Sequence, residues 1–141
     1  MRKSMLAAAA LALLAAPAAA AEGVNGEWLV QGGSAKVRIA PCGDKLCGLI
    51  SWLKEPNLAN GKPKLDLNNP DARLRARPIV GLPMLSGFSA AGPGRWTGGK
   101  IYDPESGKTY NSKLTLNPNG TLKVEGCVSV VCRGMTWTRA S

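Results

Sequence analysis

Glycine and proline interrupt this 141-residue chain so often after residue 22 that no long helix fits, and no apolar pattern keeps helical spacing over three turns. What remains is a series of short stretches between turns. Eight of them read as strands: Val24–Gln31, Ala35–Ala40, Leu46–Leu53, Pro78–Phe88, Arg95–Tyr102, Lys108–Leu116, Thr121–Val128 and Val131–Arg139. Turn chemistry separates most of them, at Gly32-Gly33, at Gly43-Asp44, over Asp103-Pro104-Glu105-Ser106-Gly107 and over Asn117-Pro118-Asn119-Gly120. Connections this short make neighbouring strands antiparallel. Side chains alternate as a half-buried sheet requires. Tyr110, Ser112, Leu114 and Leu116 share one face of their strand, and Thr109, Asn111, Lys113 and Thr115 share the other. Leu122, Val124 and Val128 likewise oppose Thr121, Lys123 and Glu125.

One wet face on each of eight successive antiparallel strands predicts a closed up-and-down barrel or a two-sheet sandwich. Closure into a barrel removes the exposed edges that a meander leaves. Eight strands enclose either packed side chains or one small ligand. Glycines inside strands (Gly48, Gly81, Gly87, Gly98, Gly99, Gly126) suit sharp bends and also an interior with space left in it. The one long connection, Lys54 to Arg77, contains Asn69-Pro70-Asp71. Asn as N-cap, Pro at the first position and Asp near the positive dipole end predict a short helical turn through Leu74.

Residues 1–21, MRKSMLAAAALALLAAPAAAA, have the layout of a secretory signal peptide: Arg2 and Lys3, an apolar run, then small residues. Cleavage after Ala21 would leave 120 residues, 22–141, enough for one domain. The apolar run is shorter than the ~20 residues a transmembrane helix needs. Export makes nucleic-acid partners and nucleotide-driven chemistry improbable. The chain has no histidine, which removes His-based acid–base catalysis, His-activated nucleophiles and His metal sites. Losing Arg2 and Lys3 lowers the formal charge from +9 to +7, still enough to attract an anionic envelope surface.

Gly26-Glu27-Trp28 falls in the first strand and Trp137-Thr138-Arg139 at the end of the last. First and last strands must meet to close a barrel, and a guanidinium over an indole gains roughly 0.5–2 kcal/mol. The pairing resembles the lipocalin superfamily, in which such a tryptophan plugs the closed end and an arginine of the last strand packs over it. Gly26, Trp28, Trp137 and Arg139 are therefore the expected closure residues.

A resemblance to one bacterial family, domain of unknown function 2147, covers nearly the whole segment after residue 21. It rests on Gly26-Glu27-Trp28, on Cys42-Gly43-Asp44-Lys45-Leu46-Cys47-Gly48-Leu49-Ile50 with Trp52, and on Asp66, Asn68-Asn69-Pro70-Asp71, Leu74-Arg75 and Arg77-Pro78. Gly81-Leu82, Gly87-Phe88, the run from Trp96 to Tyr110 and Trp137-Thr138-Arg139 complete it. The resemblance implies a small exported protein with a lipocalin-like barrel and ligand binding. It implies no enzyme mechanism.

Cys42, Cys47, Cys127 and Cys132 form two C-x4-C pairs. Even cysteine count and export point to disulfides. Gly43-Asp44-Lys45 can turn the chain back to join Cys42 to Cys47, which leaves Cys127 with Cys132 although no obvious turn residue lies between them. A four-cysteine zinc site is the weaker alternative. Asp66 to Asp71 has the oxygen-rich look of a calcium loop but lacks its central glycine and terminal glutamate, so capping and turn formation explain it better. Arg73, Arg75 and Arg77 would share a face in extended chain and could grip an anion; pairing with Asp66 and Asp71 is the plainer reading.

The function expected is non-catalytic, without cofactor or metal: a barrel holding a small apolar or amphipathic molecule. Large apolar residues at strand positions give the candidate lining as Trp52, Met84, Phe88, Trp96, Tyr110, Leu114 and Met135. The rival is an envelope protein with a filled core that uses its basic surface on an acidic polymer, lipid or partner. An enzyme acting on envelope material through paired carboxylates ranks last, with only nine acids in the chain.

Overall fold

The computed structural model describes residues 23–141, so the expected signal peptide lies outside the described residues. Eight strands, β1 (Gly26–Leu29), β2 (Ala35–Cys42), β3 (Lys45–Leu53), β4 (Pro83–Ala90), β5 (Arg95–Asp103), β6 (Lys108–Leu116), β7 (Leu122–Val128) and β8 (Val131–Arg139), follow one another in the chain. Each pairs antiparallel with the next, and β1 pairs with β8, which closes an up-and-down barrel. Closure replaces the sandwich alternative. No helix among the described residues is long and apolar enough to cross a membrane.

Three local expectations shift. The first strand is only four residues because Val30 already bonds to Ala35 O (3.0 Å) and opens the β1–β2 turn. The fourth begins at Pro83 rather than Pro78. Leu65 bridges to Pro78 and Ile79 N bonds to Lys64 O, so this segment pairs with the long loop instead of the barrel. The helical turn is a 3-10 turn, Ala72–Leu74, capped by Asp71 and not by Asn69. Asn69 Oδ1 accepts from Asp71 N (2.8 Å), an Asx turn that carries the chain into the cap two residues later.

The barrel's two ends differ. One gathers the β2–β3, β4–β5 and β6–β7 turns and both termini of the sheet. There the interior is filled by Trp28, Trp96, Leu114, Leu122 and Trp137 with Phe88 and Leu85 beneath, all buried. Two strand glycines make this packing possible. A Cβ on Gly99 would fall 2.5 Å from the Phe88 ring, and one on Gly48 would meet Val37 at 2.9 Å and Leu85 at 3.1 Å. These glycines are occupied by neighbouring side chains and leave no vacancy.

Trp28 and Arg139 face each other in the β1–β8 register. The guanidinium carbon lies 4.1 Å from the indole centroid, Arg139 Nη1 donates to Asn25 O (2.7 Å), and Nη2 donates to Gly23 O. Trp28 Nε1 donates to Val24 O (2.9 Å). Gly26 is the residue that permits this. Its φ of +121° is unfavourable for L side chains, and a Cβ there would sit 3.0 Å from Arg139 Nη1.

The long connection after β3 packs on the outside of β5. Its anchor is Asp66, with 0% exposure. The carboxylate accepts from Tyr102 Oη (2.7 Å), Asn69 Nδ2 (2.8 Å) and Arg77 Nε (2.9 Å). Burial works to raise the Asp66 pKa, but these three donors outweigh it and hold the carboxyl below its ordinary range. Tyr102 is pushed up to about 12, by burial first and by the adjacent Asp66 second. Asn68 Nδ2 adds bonds to Pro104 O and Glu105 O, which fasten the loop to the β5–β6 turn. Arg73 pairs with Asp71 and Arg75 Nε with Asn69 O (2.6 Å), so the three alternating arginines are engaged within the loop.

Candidate ligand cavity

Opposite the tryptophan plug, the barrel is not filled. A cavity of about 550 Å³ lies between the ends of β4, β5, β6, β7 and β8. This falls inside the ~300–1,000 Å³ typical of small-molecule sites. Met84, Ile101, Tyr110, Gly126, Val128, Val131 and Met135 give an apolar wall, with Asp103 and Arg133 at its rim. Val128 and Val131 are 64% and 72% exposed, so the cavity opens to solvent.

The register explains the wall. Tyr110 lies opposite Ile101, Gly126 opposite Arg133, and Met135 opposite Val124 on the inward side. Met84 is the extra residue at an irregularity in the β3–β4 ladder, where Gly48 pairs with Leu85 and Leu49 with Pro83. Gly126 lines the cavity without a side chain. Unlike Gly48 and Gly99, it has room: a Cβ there would find its nearest neighbours, Ile101 and Tyr110, at ordinary contact distances of 3.7 and 3.8 Å.

At the mouth, β7 and β8 form a tight hairpin locked by the Cys127–Cys132 disulfide, with the two cysteines directly opposed and their Cα atoms 4.0 Å apart. Ser129 takes the left-handed backbone conformation (φ 56°) that a turn glycine would usually supply. The second disulfide, Cys42–Cys47, closes the β2–β3 hairpin at the plugged end. No cysteine is free.

Asp103 and Arg133 differ in how they are held. Asp103 is spent on its own turn: Oδ1 accepts from Glu105 N (3.0 Å) and Oδ2 from Ser106 Oγ (2.8 Å). Arg133 is exposed and makes no ion pair or hydrogen bond among the described residues. No group of three or more metal-ligating side chains occurs among the described residues.

Of the seven residues chosen from sequence as lining, Met84, Tyr110 and Met135 border the cavity. Phe88, Trp96 and Leu114 also lie inside the barrel but belong to its packed half. Trp52 is on the outer surface, 39% exposed, with Lys36 Nζ 4.9 Å from its ring centroid. Strict alternation from Leu46, Gly48 and Ile50 would turn it inward. A bulge intervenes: Val37 pairs with Ile50 but Lys36 with Trp52, so Ser51 is the extra residue and Trp52 flips outward. Ile101, Asp103, Gly126, Val128, Val131 and Arg133 were not among the candidates. The β7–β8 register alone would have found the last four, because it extends the inward row Trp137, Met135 through Arg133 to Val131.

A family described as "Uncharacterized protein conserved in bacteria (DUF2147)" matches residues 26–139. Among solved structures, the chain is similar to protein HP1028 from the human pathogen Helicobacter pylori, described as belonging to the lipocalin family. Identity is 26%, the TM-score is 0.74, and the match covers 84% of this chain and 83% of that one. No curated protein matches the chain.

Proposed function

The chain belongs to the DUF2147 family, and on that premise we propose that it is an exported, non-catalytic binding protein whose barrel holds a small apolar or amphipathic molecule. The observation that carries this reading is the asymmetry of the interior: one half filled by tryptophans, the other an apolar cavity open to solvent. A fold alone does not imply a function. Here the site supplies the argument, because an apolar wall exposed to solvent beside a packed core forgoes hydrophobic stabilisation that a bound apolar group restores. The likeness to a lipocalin-family structure supports the same reading. Two disulfides in a chain without a free cysteine support export, and so does the leader-like segment 1–21.

Titration with the neutral, environment-sensitive dye N-phenyl-1-naphthylamine tests it. Saturable fluorescence enhancement is expected, at least tenfold weaker in Gly126→Leu, whose side chain would project into the cavity while its Cβ is accommodated. Equal dye binding by wild type and variant would place the dye elsewhere and refute the reading.

A further inference from the structure

We infer that the cavity takes a single-chain amphiphile with an anionic head, the head held by Arg133; this rests on the ligand-binding reading above and specifies its ligand class. Glu27, Asp66 and Asp71 hold Arg38, Arg77 and Arg73, and Glu125 lies 3.9 Å from Lys123. Arg133, like most lysines and arginines of the chain, has no carboxylate within ion-pair distance among the described residues; what sets it apart is that it is the cation lining the cavity.

Its position favours a ligand role. The residue directly opposite in the β7–β8 ladder is Gly126, so no side chain projects from that position toward it. The other rim charge, Asp103, has both oxygens occupied by its turn. An entering molecule thus passes Val128 and Val131 at the hairpin, then one guanidinium with unused donors, and deeper in meets apolar wall from Ile101, Met135 and Tyr110. Apolar inside and cationic at the mouth is complementary to a chain with a terminal carboxylate, sulfate or phosphate. The guanidinium fork suits such planar or trigonal oxygens, and partial withdrawal from water strengthens the contact.

Calorimetric titration of the purified protein with four twelve-carbon probes below their micelle concentrations tests this: dodecanoate, dodecyl sulfate, dodecanol and dodecyltrimethylammonium. Both anions should bind about tenfold more tightly than the alcohol, a preference that fades as salt rises. Arg133→Gln should abolish that preference while leaving dodecanol affinity unchanged, and Arg133→Lys should restore most of it. Equal affinity for alcohol and anions, with both lost in Gly126→Leu, would overturn the head-group assignment but keep the cavity. Tightest binding of the ammonium would overturn it in favour of Asp103. Failure of all four probes to bind would remove the cavity reading and this inference together.

Discussion

Trp28 and Arg139 are 111 positions apart in the chain and touch only because β8 returns to β1. Replacing Trp28 by Ala removes a fully buried indole, its hydrogen bond to Val24 O and the floor beneath the guanidinium. The cost should be about 3–5 kcal/mol, the range for large aromatic truncations. Replacing Arg139 by Ala loses the stacking and the two carbonyl contacts to Asn25 and Gly23. Because the guanidinium is exposed, the cost should be about 1–2 kcal/mol. The stacking share, about 0.5–2 kcal/mol, is lost in either single variant and cannot be lost twice. Urea melts of wild type, both singles and the double should therefore show a double mutant less destabilised than the sum. Additivity to within about 0.5 kcal/mol, with unchanged m-values, would refute the closure argument.

The loop anchor gives a second prediction. Asp66→Ala strands the Tyr102 hydroxyl and unpairs Arg77, and should cost about 3–5 kcal/mol with protease cleavage inside 54–82 appearing before global unfolding. An uncleaved loop in the variant would contradict the anchoring role. Stability should also fall at both pH extremes. The Tyr102 pKa rises from its ordinary 10.0 to about 12, so between those values the unfolded chain loses a proton the folded chain keeps, and stability declines above pH 10. Tyr102→Phe should flatten that alkaline limb. The depressed Asp66 contributes fully above its ordinary 3.8, and its contribution is lost as pH falls through the lower folded value. Thiol titration of the unreduced protein in denaturant should find no free thiol, and peptide mapping should link Cys42 to Cys47 and Cys127 to Cys132. Stoichiometric zinc with four titratable thiols would contradict the pairing.

Strand identity was legible because turns and alternation are local properties, and the plug was legible because Trp28 and Arg139 sit at recognisable ends of the strand series. The cavity wall was only half legible. A bulge at Ser51 moved Trp52 from inside to outside, and another across Trp96 to Gly99 brought Ile101 onto the inward row, where strict alternation from Trp96 would have turned it outward. Bulges of this kind depend on the partner strand, which local alternation does not reveal. Size was a misleading guide too: Phe88 and Trp96 fill the interior, whereas Gly126, which has no side chain, lines the cavity. Asp66 was read as a turn or cap residue. Its burial arises from Tyr102, 36 residues away and on the barrel's outer face.

Native mass spectrometry of the protein purified from its own host addresses the central claim most directly. The account predicts a retained small molecule, seen as a discrete added mass on the wild type and absent from Gly126→Leu. Wild-type protein at its bare polypeptide mass, combined with no uptake of N-phenyl-1-naphthylamine, would contradict it.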